Sequence, residues 1–138
     1  MSDTLAWNRK IIEEFRANKG KVGGRFENAL LLLLTTTGAR TRLPRTSPLA
    51  CLPDGDRYIV FATNAGYDRN PDWYHNLVAH PEVTVEVGEE TFAAIATVVT
   101  GEEHDELYAR QVALYPRFGE YPKQTRRTIP VIALRQAP

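Results

Sequence analysis

The sequence predicts an α+β protein in which an antiparallel sheet is closed or half-closed into a barrel. First, hydrophobic patterning gives one helix, three strands, one helix, two strands, one helix and one strand, in that order. Second, the Pro-Asp-Gly-Asp sequence at 53–56 is a tight turn that predicts an antiparallel hairpin. Third, the regular alternation of strand and helix that builds a parallel sheet does not occur along this chain.

An N-terminal helix is predicted to run to about residue 19, with Asp3 or Thr4 as its cap. Trp7, Ile11 and Phe15 lie four residues apart and form an apolar stripe along it. Glycines at positions 20, 23 and 24 end the helix and begin a loop. We therefore divide the 138-residue chain into an N-terminal helix, 1–20, and a single barrel domain, 21–138.

Six strands and two further helices are predicted after this loop. Asn70 is expected to cap the first of these helices, with Pro71 at the first helical position and Pro81 as its end. The predicted strands are 29–36, 46–52, 58–62, 83–87, 91–100 and 131–134, and the predicted helices are 71–79 and 102–114.

Composition limits the function classes. Seventeen basic residues balance seventeen acidic ones, so the chain has no general attraction for nucleic acid. Cys51 is the only cysteine and cannot form an intrachain disulfide, which favours a reducing compartment. The leucine run at 30–34 is far shorter than the ~20 residues that span a bilayer. We expect a cytoplasmic protein, and a peripheral membrane contact stays open.

The segment 28–53 contains no acidic residue but carries Arg40, Arg42 and Arg45. These arginines fall on a predicted glycine-containing loop, 38–45, between the first two strands. One interpretation is that they only solvate the surface. The other is an anion site, because guanidinium groups on such a loop can fork onto phosphate or carboxylate oxygens.

Several familiar catalytic patterns are missing. His75 and His80 are five residues apart, which does not place them on one helix face as metal ligands. Ser47 has no Gly-x-Ser-x-Gly context, so a hydrolase triad is not supported. Gly-x-Gly-x-x-Gly and phosphate-loop motifs do not occur in the sequence either. We expect no metal site and no ordinary dinucleotide site.

Three aromatic residues, Tyr115, Phe118 and Tyr121, are spaced three apart after the third helix. Such spacing places aromatic rings on one face of a helical turn. The trio is typical of core packing. It would also suit a wall for a flat heteroaromatic ligand, with the tyrosine hydroxyls as polar handles.

Taken together, the segments after residue 20 resemble the deazaflavin-dependent nitroreductase family of actinobacteria, which uses coenzyme F420. Each motif is weakly specific, and their order and spacing carry the resemblance. They are Gly-Gly-Arg-Phe at 23–26, Leu-Leu-Thr-Thr-Thr-Gly-Ala-Arg-Thr at 33–41, Pro48-Leu49, Asp54-Gly55, Asn-Pro-Asp-Trp-Tyr-His-Asn-Leu at 70–77, Pro81 with Val83, Tyr115-Pro116, Tyr121 and Thr-Ile-Pro-Val at 128–131.

The resemblance implies an antiparallel split β-barrel of about six strands with flanking helices, like that of FMN-binding oxidoreductases. It implies that loop 38–45 holds the phosphate and polyglutamate tail of F420, with Arg40 and Arg45 as anion ligands and Thr41 beside them. Tyr115 and Tyr121 match aromatic positions on the substrate side and are the candidate catalytic residues. The remaining candidate cofactor-binding residues are Pro48, Thr63, Asn64, Ala65, Gly66, Asn70, Pro71 and Trp73.

The implied activity is transfer of a hydride from reduced F420 to an organic acceptor, a quinone, an enone or a nitro compound. The alternatives are a split-barrel reductase that uses FMN and a non-catalytic deazaflavin carrier. We expect a small-molecule hydride acceptor as partner, no nucleic acid and no metal, and either a monomer or a homodimer. The sequence departs from the family pattern at Arg42, where glycine is common, at Asn64, where lysine is frequent, and at Phe118, where some members have tyrosine.

Overall fold

A computed structural model describes the backbone of residues 2–22 and 30–138, with side chains from residue 8 onward. The N-terminal helix α1 is Ser2–Ala17, and the later helices are α2 Asp72–Ala79, α3 Gly101–Leu114 and α4 Tyr121–Gln124. The strands are β1 Leu31–Thr37, β2 Pro44–Asp54, β3 Arg57–Phe61, β4 Glu82–Val87, β5 Glu90–Val99 and β6 Val131–Gln136. The Trp7 side chain, the glycines at 23 and 24, the motif at 23–26 and the predicted strand start at Ala29 lie outside the described residues.

The six strands form a closed antiparallel barrel in the order β1-β2-β3-β6-β5-β4, which confirms the predicted fold class. The hairpin predicted at 53–56 is present, because Asp54 pairs with Arg57 across a two-residue turn. Gly55 occupies the left-handed region of that turn, with φ of +63°, where a side chain would be strained.

The barrel has an apolar interior and two outer apolar layers. Inside, alternate residues of all six strands meet, among them Leu32, Val60 and Ile132. One outer layer lies beneath α3, and the other holds Phe15 of α1 against β1. Cys51 belongs to the interior, where burial raises the pKa of its thiol to about 12, so it behaves as a small hydrophobic residue.

Strand β2 marks the place where the barrel is split. Among the described residues, its second half, 51–54, pairs with β3, whereas its first half, 44–50, pairs with β1 alone. The Cys51 N–H donates to the Leu30 carbonyl, so even-numbered residues of β2 direct their backbone groups away from β1. Pro44 and Pro48 therefore sit where a missing N–H costs no ladder hydrogen bond.

The predicted start of α2 is wrong by one position. Pro71, with extended backbone angles of φ −68° and ψ 157°, is the N-cap residue, and Asp72 begins the helix. The residue before a proline is held in extended conformations, so Asn70 stays outside the helix. Its amide oxygen instead accepts a charge-assisted hydrogen bond from Arg127 Nη1 at 2.7 Å.

Asp54 joins the β2–β3 hairpin to α3. Its carboxylate accepts hydrogen bonds from Arg110 Nη1 and Arg57 Nε, both at 2.8 Å. These hydrogen bonds, from Arg110 first and then Arg57, hold the pKa of Asp54 below its ordinary value. A carboxylate with a lowered folded-state pKa stabilises the fold above its unfolded pKa of about 3.9, and this contribution is lost as the pH falls through the lower folded value.

We expect Asp54→Asn to lower the free energy of unfolding by about 1–2 kcal/mol at neutral pH, since the two arginines lose a charged acceptor. We expect the difference from the wild-type chain to shrink as the pH falls below about 4, because the wild-type carboxylate is then protonated. Urea unfolding across this pH range measures both effects. Asp56→Asn is the matched control, because the Asp56–Arg135 pair is exposed. A constant difference at every pH would contradict the assigned role.

Candidate cofactor site

The segment after β1, residues 38–43, is a tight turn that carries Arg40 and Arg42, with Arg45 following at the start of β2; we call it the arginine turn. The Gly38 N–H donates to the Leu43 carbonyl at 2.8 Å, and the Arg42 N–H donates to the Gly38 carbonyl at 2.9 Å. A Cβ atom on Gly38 would lie 2.4 Å from Thr41 Oγ1, so a side chain there would displace the Thr41 hydroxyl. Thr41 Oγ1 in turn accepts from the Leu43 N–H at 3.2 Å.

The turn is shorter than predicted, because pairing with β1 continues to Thr37. Thr36 pairs with Arg45, so Arg45 is the second residue of β2 and not part of a loop. Arg42 has a φ of +61°, in the left-handed region that favours glycine. This backbone angle gives a physical reason for glycine to be common at that position.

Arg40, Arg42 and Arg45 are all exposed. Within the described part of the chain no acid pairs with any of them, whereas Arg16, Arg57, Arg110 and Arg135 each contact a carboxylate. Three cations without internal partners on one short segment are available to an external anion. This arrangement fits the phosphate and carboxylate groups of F420.

A buried amide fixes this turn to helix α2. Asn76 Oδ1 accepts the Ala39 N–H at 2.9 Å, and Asn76 Nδ2 donates to Thr36 Oγ1 at 3.2 Å. The Asn76 residue is 8% exposed. Its two hydrogen bonds therefore fix Thr36, near the end of β1, and Ala39, in the arginine turn.

The segment after β3 has an unusual backbone. Asn64, Ala65 and Gly66 have φ of +47°, +55° and +83° within a 3-10 turn, Asn64–Gly66. The Asn64 side chain donates to the Arg69 carbonyl at 2.9 Å and so closes the segment on itself. A Cβ atom on Gly66 would lie 2.2 Å from the Gln124 side chain, so α4 packs directly on this turn.

Arg127 holds the same segment from outside. Its guanidinium donates to the carbonyls of Thr63 at 2.7 Å, Tyr67 at 2.9 Å and Ala62 at 3.0 Å, in addition to Asn70. Burial lowers the pKa of Arg127, although the charge of Asp68 acts in the opposite direction.

The topology brings most of the candidate residues to one end of the barrel. Strands β1 and β3 are both antiparallel to β2, so they run in the same direction and end on the same side. The arginine turn follows β1, and segment 62–70 follows β3 and leads into α2. Pro48 lies further along the open edge of β2, opposite Leu33. Trp73 is 8% exposed and packs with the barrel interior.

The aromatic trio divides into a core residue and two flanking tyrosines. Phe118 is 7% exposed, and its ring makes edge contacts with Phe61 and Tyr121, at centroid distances of 6.0 Å and 5.4 Å. The Tyr115 hydroxyl accepts the Leu30 N–H at 3.3 Å. Leu30 precedes β1, so this hydroxyl lies toward the far end of the strand, about 20 Å from the arginine turn. Tyr121 instead begins α4, the helix whose last residue, Gln124, packs on Gly66.

Two residues of this region were missed by the sequence interpretation. Asn76 follows Trp73 by three positions and precedes Leu77, so it is a polar residue on the buried face of α2, and that pattern could have identified it. Arg127 has no such signal, because its acceptors are backbone carbonyls more than 50 residues away along the chain.

Comparison with known proteins decides the family. A model of the F420H2-dependent quinone reductase family matches residues 7–136. The chain belongs to this family. An F420H2-dependent quinone reductase of Mycobacterium tuberculosis strain H37Rv is 40% identical over 126 residues, which cover 87% of this chain and 83% of that protein. A protein of Mycobacterium bovis with the same kind of name shares the same identity and coverage.

Solved structures agree with the family assignment. An F420-H2 dependent reductase has a TM-score of 0.70 and 33% identity, covering 75% of this chain and 92% of that one. A second structure, described as a domain-swapped dimer, has a TM-score of 0.72 and 30% identity, covering 96% of this chain and 98% of that one. The protein is thus a deazaflavin-dependent oxidoreductase with F420 as its cofactor, as the resemblance implied.

The described residues lack two other features. None of their helices is both long enough and apolar enough to cross a membrane. They also contain no group of three or more His, Cys, Asp or Glu side chains positioned to hold a metal ion.

Proposed function

We propose that this protein reduces quinones with F420H2 and binds the cofactor across the barrel end formed by the arginine turn and segment 62–70. The carrying observation is the set of arginines without internal partners among the described residues, which lies on the same barrel end as the strained turn after β3. The names of the relatives, F420H2-dependent quinone reductases, support a quinone as acceptor. Cytoplasmic location and a monomeric or dimeric state remain predictions.

Each part of the candidate site has its own role in holding the cofactor. Arg40 and Arg45 would fork onto the anionic tail, with the Thr41 hydroxyl beside them. Segment 63–66, Asn70, Pro71 and the open edge at Pro48 would line the ring and ribityl chain. When bound, reduced F420 supplies two electrons as a hydride, because carbon replaces the central ring nitrogen of a flavin.

The acceptor needs one proton besides the hydride. Quinone, hydride and proton together give hydroquinone, and the proton must reach the oxygen on which negative charge develops. We assign this proton to the Tyr121 hydroxyl, which regains one from water, because Tyr121 begins α4, the helix whose Gln124 packs on the turn at Gly66. Tyr115 would stand on the acceptor side, with its ring against Phe118 of the core.

The first experiment follows oxidation of F420H2 by purified protein with separate panels of quinones, enones and nitroarenes. We expect quinones to give the highest kcat/KM. A titration with FMN runs alongside, and FMN binding as tight as F420 binding would overturn the cofactor assignment. Bound cofactor with no acceptor turnover would indicate a carrier instead of an enzyme.

We expect Tyr121→Phe to lower kcat for the quinone roughly tenfold and to change the F420 dissociation constant less than about twofold. The loss is smaller than the usual 10²–10⁴ for a general acid, because water can replace the hydroxyl. Tyr58→Phe is the matched control, since Tyr58 pairs with Pro53 near the β2–β3 turn, at the other end of the barrel. An unchanged kcat in Tyr121→Phe, with unchanged thermal stability, would show that Tyr121 does not supply the proton.

A further inference from the structure

We infer that Arg127 is a positioning residue that holds segment 62–70 in its cofactor-binding conformation. This inference rests on the proposed function only in assigning that segment to the cofactor. Arg127 lies 50 or more residues beyond the segment in sequence, in the stretch between α4 and β6. It is neither in the arginine turn nor part of the aromatic trio.

The guanidinium group directs its hydrogen bonds to a single segment of the chain, 62–70. Nη2 donates to the Thr63 carbonyl, Nε donates to the Tyr67 carbonyl, and Nη1 donates to both the Ala62 carbonyl and the Asn70 amide oxygen, all between 2.7 and 3.0 Å. These four acceptors span the whole segment from the end of β3 to the residue before the α2 cap. One planar side chain thus fixes both ends and the middle of the segment.

The segment needs such a holder because its backbone is strained. Asn64 and Ala65 carry side chains in the left-handed region, at φ of +47° and +55°. Residues in that region persist only when the surrounding structure enforces them. The hydrogen bonds within the segment are few: the Gly66 N–H donates to the Thr63 carbonyl, the Tyr67 N–H donates to the Asn64 carbonyl, and the Asn64 side chain donates to the Arg69 carbonyl. Arg127 donates a second hydrogen bond to the Thr63 carbonyl and another to the Tyr67 carbonyl.

The acceptors of Arg127 are all uncharged, which is unusual for an arginine that is partly buried. Among the described residues, none forms an ion pair with it, and burial lowers the pKa of its guanidinium. An arginine kept for a surface ion pair would face a carboxylate. Here the positive charge is offset only at a distance, by Asp68, and lies beside a segment proposed to bind an anionic cofactor, so the same group that orders the segment also favours the ligand.

The stretch that carries Arg127 is itself anchored to α3. His104 Nε2 lies 2.7 Å from the Ile129 carbonyl, and the His104 ring stacks on Tyr108, whose hydroxyl donates to the Phe118 carbonyl. The backbone that carries Arg127 is therefore held against α3. The hydrogen bonds of the Arg127 side chain then hold segment 62–70 relative to that backbone.

Arginine is required for this role because a lysine ammonium cannot reach four separated acceptors. The guanidinium presents five N–H donors in a rigid plane, whereas an ammonium is a compact point charge with three. Arg127→Lys therefore keeps the charge and removes the geometry. Arg127→Ala removes both, and Arg126→Ala is the matched control, because Arg126 is the exposed neighbour with no hydrogen bond or ion pair within the described residues.

The experiment measures the F420 dissociation constant by fluorescence, kcat at saturating F420H2, thermal stability, and hydrogen exchange of segment 62–70. We expect Arg127→Lys and Arg127→Ala to raise the dissociation constant tenfold or more, to change kcat less than threefold, and to speed exchange within the segment. Arg126→Ala is expected to bind F420 like the wild-type chain. Free guanidinium chloride at low millimolar concentration, against equal sodium chloride, should restore part of the affinity of Arg127→Ala.

Each outcome separates the inference from the proposed function. If F420 does not protect segment 62–70 from exchange in the wild-type chain, the proposed site is wrong. If it does, but both Arg127 variants bind F420 normally, the positioning role is wrong. A loss of affinity in Arg127→Lys that matches a general loss of thermal stability, with no rescue of Arg127→Ala by guanidinium, would also overturn it. Selective loss with rescue supports it even if Arg127→Ala is less stable.

Discussion

The double variant Arg40→Ala, Arg45→Ala is expected to bind F420 at least about 100-fold more weakly than the wild-type chain. Each guanidinium has no acid partner among the described residues, so each is available to the cofactor tail. A hydrogen bond to a charged group contributes about 1.5–3 kcal/mol, and 1.4 kcal/mol is a factor of ten in affinity. Removing both guanidinium groups therefore gives the expected change.

Turnover at saturating F420H2 should change little in this variant. The tail anchor contributes equally to the ground state and the transition state, because it does not touch the reacting atoms, so its loss raises KM and not the barrier. Fluorescence titration gives the dissociation constant, and steady-state kinetics with a quinone give kcat. A fall in kcat comparable to the loss of affinity would place these arginines near the chemistry instead.

Two controls separate geometry from charge. Arg40→Lys, Arg45→Lys keeps both charges but loses the planar fork, and we expect it to recover only part of the affinity. Arg135→Ala removes one positive charge near the β2–β3 turn, at the other end of the barrel. It should leave F420 binding unchanged. Raising the salt concentration should weaken binding to the wild-type chain more than to the double variant, since exposed charges are screened.

The parts of the fold that were predictable from the sequence are those determined locally. The turn at 53–56 sets the β2–β3 hairpin, because Gly55 adopts the left-handed backbone that the turn needs. The prolines of β2 fit the open edge because they lack an N–H there. The pattern of apolar residues identified the six strands. Their apolar residues meet in the barrel interior, which confirms this assignment.

The parts that were not predictable depend on partners distant in sequence. Asn70 is by residue type a good helix cap. Its amide oxygen instead accepts a hydrogen bond from Arg127, which is 57 residues away in the sequence. The aromatic trio has one spacing but three environments. Phe118 is in the core, the Tyr115 hydroxyl bonds to the residue before β1, and Tyr121 begins the short helix that packs on Gly66. Helical spacing predicts that the rings lie near one another, but it does not predict which ring lies at the cofactor site.

The backbone conformation of Arg42 connects a local steric rule with the proposed anion site. Its φ of +61° costs a residue with a side chain roughly 1–2 kcal/mol, which glycine would avoid. The sequence departs from the family pattern at this position and keeps an arginine on the turn that already carries Arg40. Backbone strain beside a proposed anion site is consistent with a binding role for the third guanidinium.

Asn76→Ala is expected to lower the free energy of unfolding by about 2–4 kcal/mol and to weaken F420 binding roughly tenfold. The substitution leaves the buried Thr36 hydroxyl and the partly buried Ala39 N–H without their partner, and an unpaired buried polar group costs about 1–3 kcal/mol. The binding loss follows because the arginine turn is no longer fixed to α2, so its ordering must be supplied when the cofactor binds.

The two effects are separable by a second substitution on the same residue and a control on the same helix. Asn76→Asp keeps an oxygen for the Ala39 N–H, and the Thr36 hydroxyl can donate to the new carboxylate. It should therefore hold the turn better than alanine does, while its negative charge beneath the arginines opposes the anionic tail. Val78→Ala, on the exposed face of α2, should change neither property by much.

Urea unfolding and F420 titration on the three variants decide the role of Asn76. If Asn76→Ala loses stability but binds F420 like the wild-type chain, the amide serves only packing. The turn would then be held by its own hydrogen bonds between Gly38, Arg42 and Leu43. If affinity falls in Asn76→Ala and falls further in Asn76→Asp despite a smaller loss of stability, the turn above Asn76 must bind an anion. That order of affinities cannot arise from general destabilisation, because the more stable variant would be the weaker binder.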